Sequence, residues 1–187
     1  MPKLILGLTG QIGSGKGFLC DYLVEAYGAE RFKFSTYLSR ALQAMGLEPS
    51  RDNFIRMSEV LRTGFGENAL SHAVARDASM STAPLAVIDG LRRLEDLTNL
   101  KPLPNFRLAA VEAEQRIRYA RIANRGEKSD ELALSWEDFL ANEQRSTEQT
   151  VPHTMAHAHI RLQNNGEPHT LKKQVDALMA EQNIPRL

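Results

Sequence analysis

With only one cysteine in 187 residues, the chain can form no internal disulfide. That residue, Cys20, sits among apolar neighbours and reads as a small core side chain. A surplus of either charge is missing too: 23 lysines and arginines face 23 aspartates and glutamates. No global attraction to nucleic acid or to a membrane surface is therefore expected. No hydrophobic run approaches the roughly 20 residues needed to span a bilayer. The apolar N-terminus is too short for a secretion signal and runs straight into a glycine-rich turn. A cytoplasmic protein without membrane or nucleic-acid partners is expected, acting as a monomer or homodimer. Internal repeats and low-complexity segments are absent as well. What remains is an ordinary apolar fraction, 42%, and a length that suits one domain with a small inserted lobe.

The most informative stretch is Gly10-Gln11-Ile12-Gly13-Ser14-Gly15-Lys16-Gly17. It follows the apolar run Leu4-Ile5-Leu6-Gly7-Leu8 and precedes the helix-like Phe18-Leu19-Cys20-Asp21-Tyr22-Leu23-Val24. Strand, glycine turn, lysine and helix in this order form a phosphate-cradling P-loop. The glycines let the backbone aim N–H groups inward, and the positive end of the helix completes an anion site. Lys16 can reach the β- and γ-phosphates of a nucleoside triphosphate. The residue after that lysine is usually Ser or Thr, whose hydroxyl touches magnesium; here it is Gly17.

Along the chain, a first strand is expected over residues 3–9, apolar enough to be buried on both faces of a parallel sheet. Residues 31–34 form a second short strand, expected beside the first. Ser35 and Thr36 read as N-caps of a helix over 37–45. A second helix over 51–62 places Phe54, Met57 and Leu61 on one face and breaks at Gly64 and Gly66. A third runs over 67–78. Residues 35–78 are thus a helical insertion, long for a simple crossover and suited to a substrate site. Strand 85–88 ends in Asp89-Gly90-Leu91-Arg92-Arg93, and an acid there faces the ligand crevice of an open α/β sheet. Asp89 reads either as an orienter of magnesium or as a helix cap. Strand 106–111 leads to a helix with Arg118, Arg121 and Arg125 at spacings of three and four. Those arginines suit a lid over polyphosphate, spanning 125–144, or a solvated face partnered by Glu112 and Glu114. The fifth strand, 158–162, runs into Gln163-Asn164-Asn165-Gly166, and an amphipathic helix closes the chain. His153, His157 and His159 straddle a turn and a strand start without a cysteine or carboxylate to complete a metal set, so surface or capping roles are expected.

The order of these motifs resembles the P-loop nucleoside monophosphate kinase group. Gly13-Ser14-Gly15-Lys16-Gly17 is similar to the adenylate kinase form of the loop, which also has glycine after the lysine. Phe18 departs from the threonine of that form. Asp89-Gly90-Leu91-Arg92 resembles deoxynucleoside monophosphate kinases of the phage type, and the outline is shared by dephospho-coenzyme A kinase. The resemblance implies a three-layer α/β/α fold with a five-stranded parallel sheet, a helical acceptor-binding insertion (35–78) and a small lid (125–144) on a core of 1–34, 79–124 and 145–187. It implies ATP as donor with Mg2+, and a small nucleotide as acceptor. Gly10 to Phe18 would bind the donor phosphates, with Lys16 catalytic. Asp89 would orient magnesium through water. Phe34, Ser35, Arg40, Arg62, Arg92 and Arg118 would form the acceptor site, with Arg93 an alternative to Arg92. Arg118, Arg121 and Arg125 would close over the transferring phosphoryl group, and Asn164 and Asn165 would lie near the donor base. A catalytic base, Glu143 or Glu148, is left open. The function implied is transfer of the γ-phosphoryl of ATP to a nucleoside or deoxynucleoside monophosphate. The alternatives are a dephospho-coenzyme A kinase and a non-catalytic ATP-binding regulator.

Overall fold

The structure, a computed structural model, describes residues 1–124 and 134–187. In chain order its elements are β1 (Leu4–Thr9), α1 (Lys16–Tyr27), β2 (Glu30–Lys33), α2 (Phe34–Ala44), α3 (Arg51–Phe65), α4 (Ala69–Met80), β3 (Leu85–Asp89), β4 (Phe106–Glu112), α5 (Gln115–Ala123), α6 (Trp136–Glu143), α7 (Ser146–Gln149), α8 (Val151–Ala156), β5 (Ile160–Gln163) and α9 (Pro168–Glu181). Among the described residues the strands form one five-stranded sheet in the order β2-β3-β1-β4-β5, parallel throughout.

Alternation along β1 divides the core. Leu4, Leu6 and Leu8 join Leu19 and Leu23 of α1 and Leu171 and Val175 of α9 on one face. Ile5 joins Val74 and Ala78 of α4 and Phe106 and Leu108 of β4 on the other. Burying the four aliphatic side chains Leu4, Ile5, Leu6 and Leu8 of β1 contributes about 6–12 kcal/mol. Apolar burial on both faces therefore makes this strand the sheet's centre. Cys20 is fully buried in the first cluster, and burial, helped by the charge of Asp89, pushes its thiol up to about 12.

The place of β2 differs from expectation: it lies beside β3, not beside β1. Its charged residues Glu30, Arg31 and Lys33 need water within reach, and only Phe32 is buried. Such a strand belongs at an edge, while both flanks of β1 go to the apolar strands β3 and β4. The pairing sets Leu8 opposite Asp89 and so carries the acid to the level of the glycine-rich loop.

The insertion between β2 and β3 holds α2, α3 and α4. Helix α2 begins at Phe34, with Ser35 and Thr36 inside its first turn and no side-chain cap, so the capping role expected of them is not taken. Helix α3 is capped by Ser50, whose hydroxyl accepts from the Asn53 amide. It continues through Gly64 to Phe65, and only Gly66, at φ 97°, stops it. The last element of the expected lid, α6, starts with a capping box from Ser135 and Asp138. Trp136 and Phe139 stack on each other and meet Tyr119 of α5, the first edge-on and the second tilted; residues 125–133 of that lid lie outside the described residues. His159 extends the β4–β5 pairing, its Nδ1 accepting from the Leu108 amide at 2.9 Å. Among the described residues no helix is long and apolar enough to cross a membrane.

Candidate active site around the glycine-rich loop

The loop joins β1 to α1 and is shaped from outside. At Gly13 (φ +79°) an added Cβ would lie 2.6 Å from the Arg118 carbonyl oxygen, and at Gly15 (φ +102°) one would lie 2.2 Å from Asn164 Nδ2. These are left-handed conformations pressed against neighbouring chain, and glycine alone fits both demands. Asn164 Nδ2 donates to the Ser14 carbonyl at 2.8 Å, and its Oδ1 accepts from Arg121 at 3.3 Å. Lys16 curls back on the loop, its Nζ donating to the carbonyls of Gly10 (2.5 Å) and Gln11 (3.1 Å). Burial, and next the positive charge of Arg92, pull its ammonium down to about 8. A polyanion in the loop would act against both influences, its negative charge favouring the protonated ammonium.

Arg118 departs from its expected place at the acceptor phosphate. Its side chain is 4% exposed and donates to the carbonyls of Ile12 (3.2 Å) and Ala113 (3.1 Å). It also pairs with Glu143 at 2.5 Å. Helix α5 docks so closely on Gly13 that residue 118 is driven beneath the loop, where it braces the backbone. Glu143, bonded as well by Gln115 Nε2 at 2.6 Å, belongs to the same brace.

On one side of the loop a cleft of about 510 Å³ is lined by Gly13, Gly15, Phe18, Ile117, Arg121 and Asn164. Apolar walls with a few polar groups suit a flat ring. Asn165 does not line it; its Oδ1 accepts from the Glu114 amide at the head of α5. On the other side lie two cavities. The inner one, about 440 Å³, is lined by Ile12 of the loop with Arg51, Arg92, Arg145, Thr147 and Glu148. The outer one, about 690 Å³, shares Arg51, Arg92 and Arg145 and adds Arg62, Arg93 and Phe54. Arg92 is ion-paired with Glu148, whose charge also reaches Lys16.

Of the arginines expected at the acceptor, Arg62 and Arg92 line one cavity, joined by Arg93, which was expected only in place of Arg92; Arg40 does not line it. It faces a separate cavity at the free edge of β2, with Tyr37 and Asp77. Successive side chains of α2 point in different directions, and the one turned toward the arginines is Leu38. Ser35 is exposed and Phe34 packs on the second core cluster, so neither lines the arginine cavity. Arg125 lies outside the described residues. Gly17 has open space around it.

Four residues escape a reading by motif. Arg51 and Arg145 begin or precede helices, where an exposed arginine carries no local signal. Arg31 donates to Asp89 Oδ2 from Nη2 (2.5 Å) and Nε (3.2 Å) and also pairs with Asp21 at 2.7 Å. Asp89 is thereby fixed at the end of β3 by its neighbour strand. Asp96 is buried, and its Oδ2 accepts from the amides of Arg92 and Arg93, both at 3.1 Å. Burial raises its carboxyl above the usual range, against the pull of those two amides. Asp96 is the anchor that aims two consecutive arginines into one cavity; the segment Asp89-Gly90-x-Arg-Arg-x-x-Asp96 is its only trace in the sequence.

Comparison with known proteins bears on the family and the fold. The chain is 23% identical over 176 residues to a UPF0200 protein of Methanoculleus marisnigri, covering 94% of each. With a UPF0200 protein of Hyperthermus butylicus it shares 26% identity over 137 residues, 73% of this chain and 72% of that one. The crystal structure of TT1252 from Thermus thermophilus superposes with a TM-score of 0.65 at 22% identity, over 97% of this chain and 98% of that one. The shikimate kinase of Bacteroides thetaiotaomicron superposes with a TM-score of 0.61 at 11% identity, over 96% and 98%. At such identities the superpositions speak for the fold alone. A family model described as AAA domain (AAA_17) matches residues 9–137. With its P-loop on a five-stranded parallel sheet and the α/β fold of a P-loop kinase, the chain belongs to this AAA domain family.

Proposed function

We propose that the protein is a phosphotransferase that moves the γ-phosphoryl group of ATP to a nucleoside or deoxynucleoside monophosphate. One observation carries the reading: the loop borders a ring-sized cleft and an inner cavity lined by Arg51, Arg92 and Arg145, and those three arginines also line an outer cavity with Arg62 and Arg93. A site that only bound ATP would have no use for the second group of cations.

The donor base lies in the cleft of Phe18, Ile117 and Arg121, and its phosphates follow the loop to Lys16. The glycine-shaped loop and its lysine fit a triphosphate tail. A magnesium ion fits less directly, because Gly17 offers no hydroxyl and Arg31 already occupies Asp89 Oδ2. The residues suit an ion carried by the phosphates and met by Asp89 through water; there it would neutralise charge on the transferring group.

The acceptor phosphate sits among Arg51, Arg92 and Arg145 in the inner cavity. One of its oxygens attacks the γ-phosphorus, the bond to the β–γ bridging oxygen breaks, and the electron pair leaves with ADP. A phosphate oxygen is anionic at neutral pH, so it needs alignment and surrounding positive charge more than a base. The guanidinium forks and Lys16 supply both. A second reading, transfer to a hydroxyl as in dephospho-coenzyme A, rests on Glu148, a carboxylate in the inner cavity that could accept the hydroxyl proton.

The test is incubation of the purified protein with ATP, magnesium and a panel of nucleoside monophosphates, deoxynucleoside monophosphates and dephospho-coenzyme A, with products separated by ion exchange. A phosphorylated product should appear in step with ADP and vanish in Lys16→Ala. Equal rates in Lys16→Ala would overturn the site. Saturable ATP binding without product from any acceptor would favour the regulator.

A further inference from the structure

We infer that the acceptor carries a second anionic group besides the phosphate that reacts, and that Arg62 and Arg93 receive it. The inference rests on the reading of the arginine cavity as the acceptor site. The two cavities divide the arginines: Arg51, Arg92 and Arg145 line both, whereas Arg62 and Arg93 line only the outer one, away from Ile12 of the loop. A phosphate monoester brings a charge of about −1.5 to −2 at neutral pH. The inner arginines match that charge without help from the outer pair.

The outer pair is held ready rather than spent. Arg62 is anchored by Ser58 Oγ at 3.1 Å and the Glu67 carbonyl at 3.3 Å. Its charged contacts are long, 3.7 Å to Glu67 and 3.7 Å to Asp96. Arg93 reaches the same Glu67 at 3.5 Å, and that side chain is 60% exposed. The two pairs made with exposed Glu67 contribute about 0–1 kcal/mol each and give way easily to a ligand anion, while the contact of Arg62 with buried Asp96 stays in place. Asp96 accepts from the Arg93 amide and so fixes where that side chain leaves the backbone. The outer cavity also has an apolar lining, from Leu38, Phe54 and Ile55. The ligand this fits is a ring-bearing molecule with an anionic group at each end: a bisphosphate, or a phosphate combined with a carboxylate.

Calorimetric titration, with a non-hydrolysable ATP analogue saturating the donor cleft, separates the two sources. AMP is compared with adenosine 3′,5′-bisphosphate, and UMP with orotidine 5′-monophosphate, which adds a carboxylate to the same ring. In at least one pair the doubly anionic ligand should bind about tenfold tighter, and the pair that shows it tells phosphate from carboxylate. Arg93→Gln should reduce that preference about fivefold. Arg62→Lys, which keeps a cation where truncation would loosen α3, should reduce it as well. Equal binding within both pairs, or variants that weaken both members of a pair by the same factor, would overturn the inference. Transfer to monophosphates without such a preference would sink this inference alone. ATP binding with no transfer to any acceptor would sink the kinase reading.

Discussion

Alanine at Gly15 and at Asn164, singly and together, tests whether the loop owes its shape to its neighbours. Gly15 sits at φ +102°, where alanine costs about 1–2 kcal/mol in backbone strain. Its Cβ would fall 2.2 Å from Asn164 Nδ2, and crowding of that kind adds about 1–3 kcal/mol. Asn164→Ala removes the 2.8 Å bond to the Ser14 carbonyl and leaves a buried acceptor unpaired, again about 1–3 kcal/mol. In the double variant the strain and the lost bond remain, but the crowding is gone. Its destabilisation should fall short of the sum of the singles by about 1–3 kcal/mol. For a chain of this size that is a melting-temperature shortfall of about 2–12 °C. Urea denaturation followed by circular dichroism and by Trp136 fluorescence measures it. Additivity within about 0.5 kcal/mol would refute the view that Asn164 shapes the turn.

Lys16, pulled down to about 8 from 10.5 in the free protein, should lose its charge as pH rises through 8. ATP affinity should then weaken above pH 8, with proton uptake on binding visible in calorimetry across buffers of different ionisation enthalpy. The sign for stability is opposite: between pH 8 and 10.5 the unfolded chain holds a proton that the folded one has lost, so this group makes unfolding harder as pH rises. Gly17→Ala meets open space and should stabilise the first turn of α1 by about 0.5–1 kcal/mol, read as a raised melting temperature; a loss would mean the position is tighter than it looks. Phe139→Ala, at a side chain with a residue exposure of 1%, should cost about 3–5 kcal/mol and shift the emission of the lone tryptophan, Trp136, against which it stacks.

The loop, the strand before it and the helix after it were legible because their signals are local: glycine spacing, an apolar run, a lysine at the helix start. The parallel α/β class followed from strands too apolar for a solvated sheet. Strand order was not legible. The charges of β2 mark it for an edge, but that both flanks of β1 go to the apolar strands β3 and β4 is a matter of distant pairings that no window of residues contains. Arg118 shows a similar limit: its spacing from Arg121 suggested a shared purpose, yet one turn of helix separates a buried brace from a residue lining the cleft beside the loop. Arg51 and Arg145 look like any solvated arginine until the fold sets them around one cavity. Gly64 and Gly66 are indistinguishable as letters, and only the second takes a conformation that ends a helix.

The lone thiol offers a built-in reporter. Cys20 is sealed under the helix that begins at the loop, and its high proton affinity keeps it from reacting as a thiolate near neutral pH. A disulfide reagent dissolved in the buffer can capture it only during moments when α1 lifts from the sheet. The colour released over time therefore counts those openings, and a nucleotide bound at the head of that helix, as proposed, would slow the count without any label having been attached.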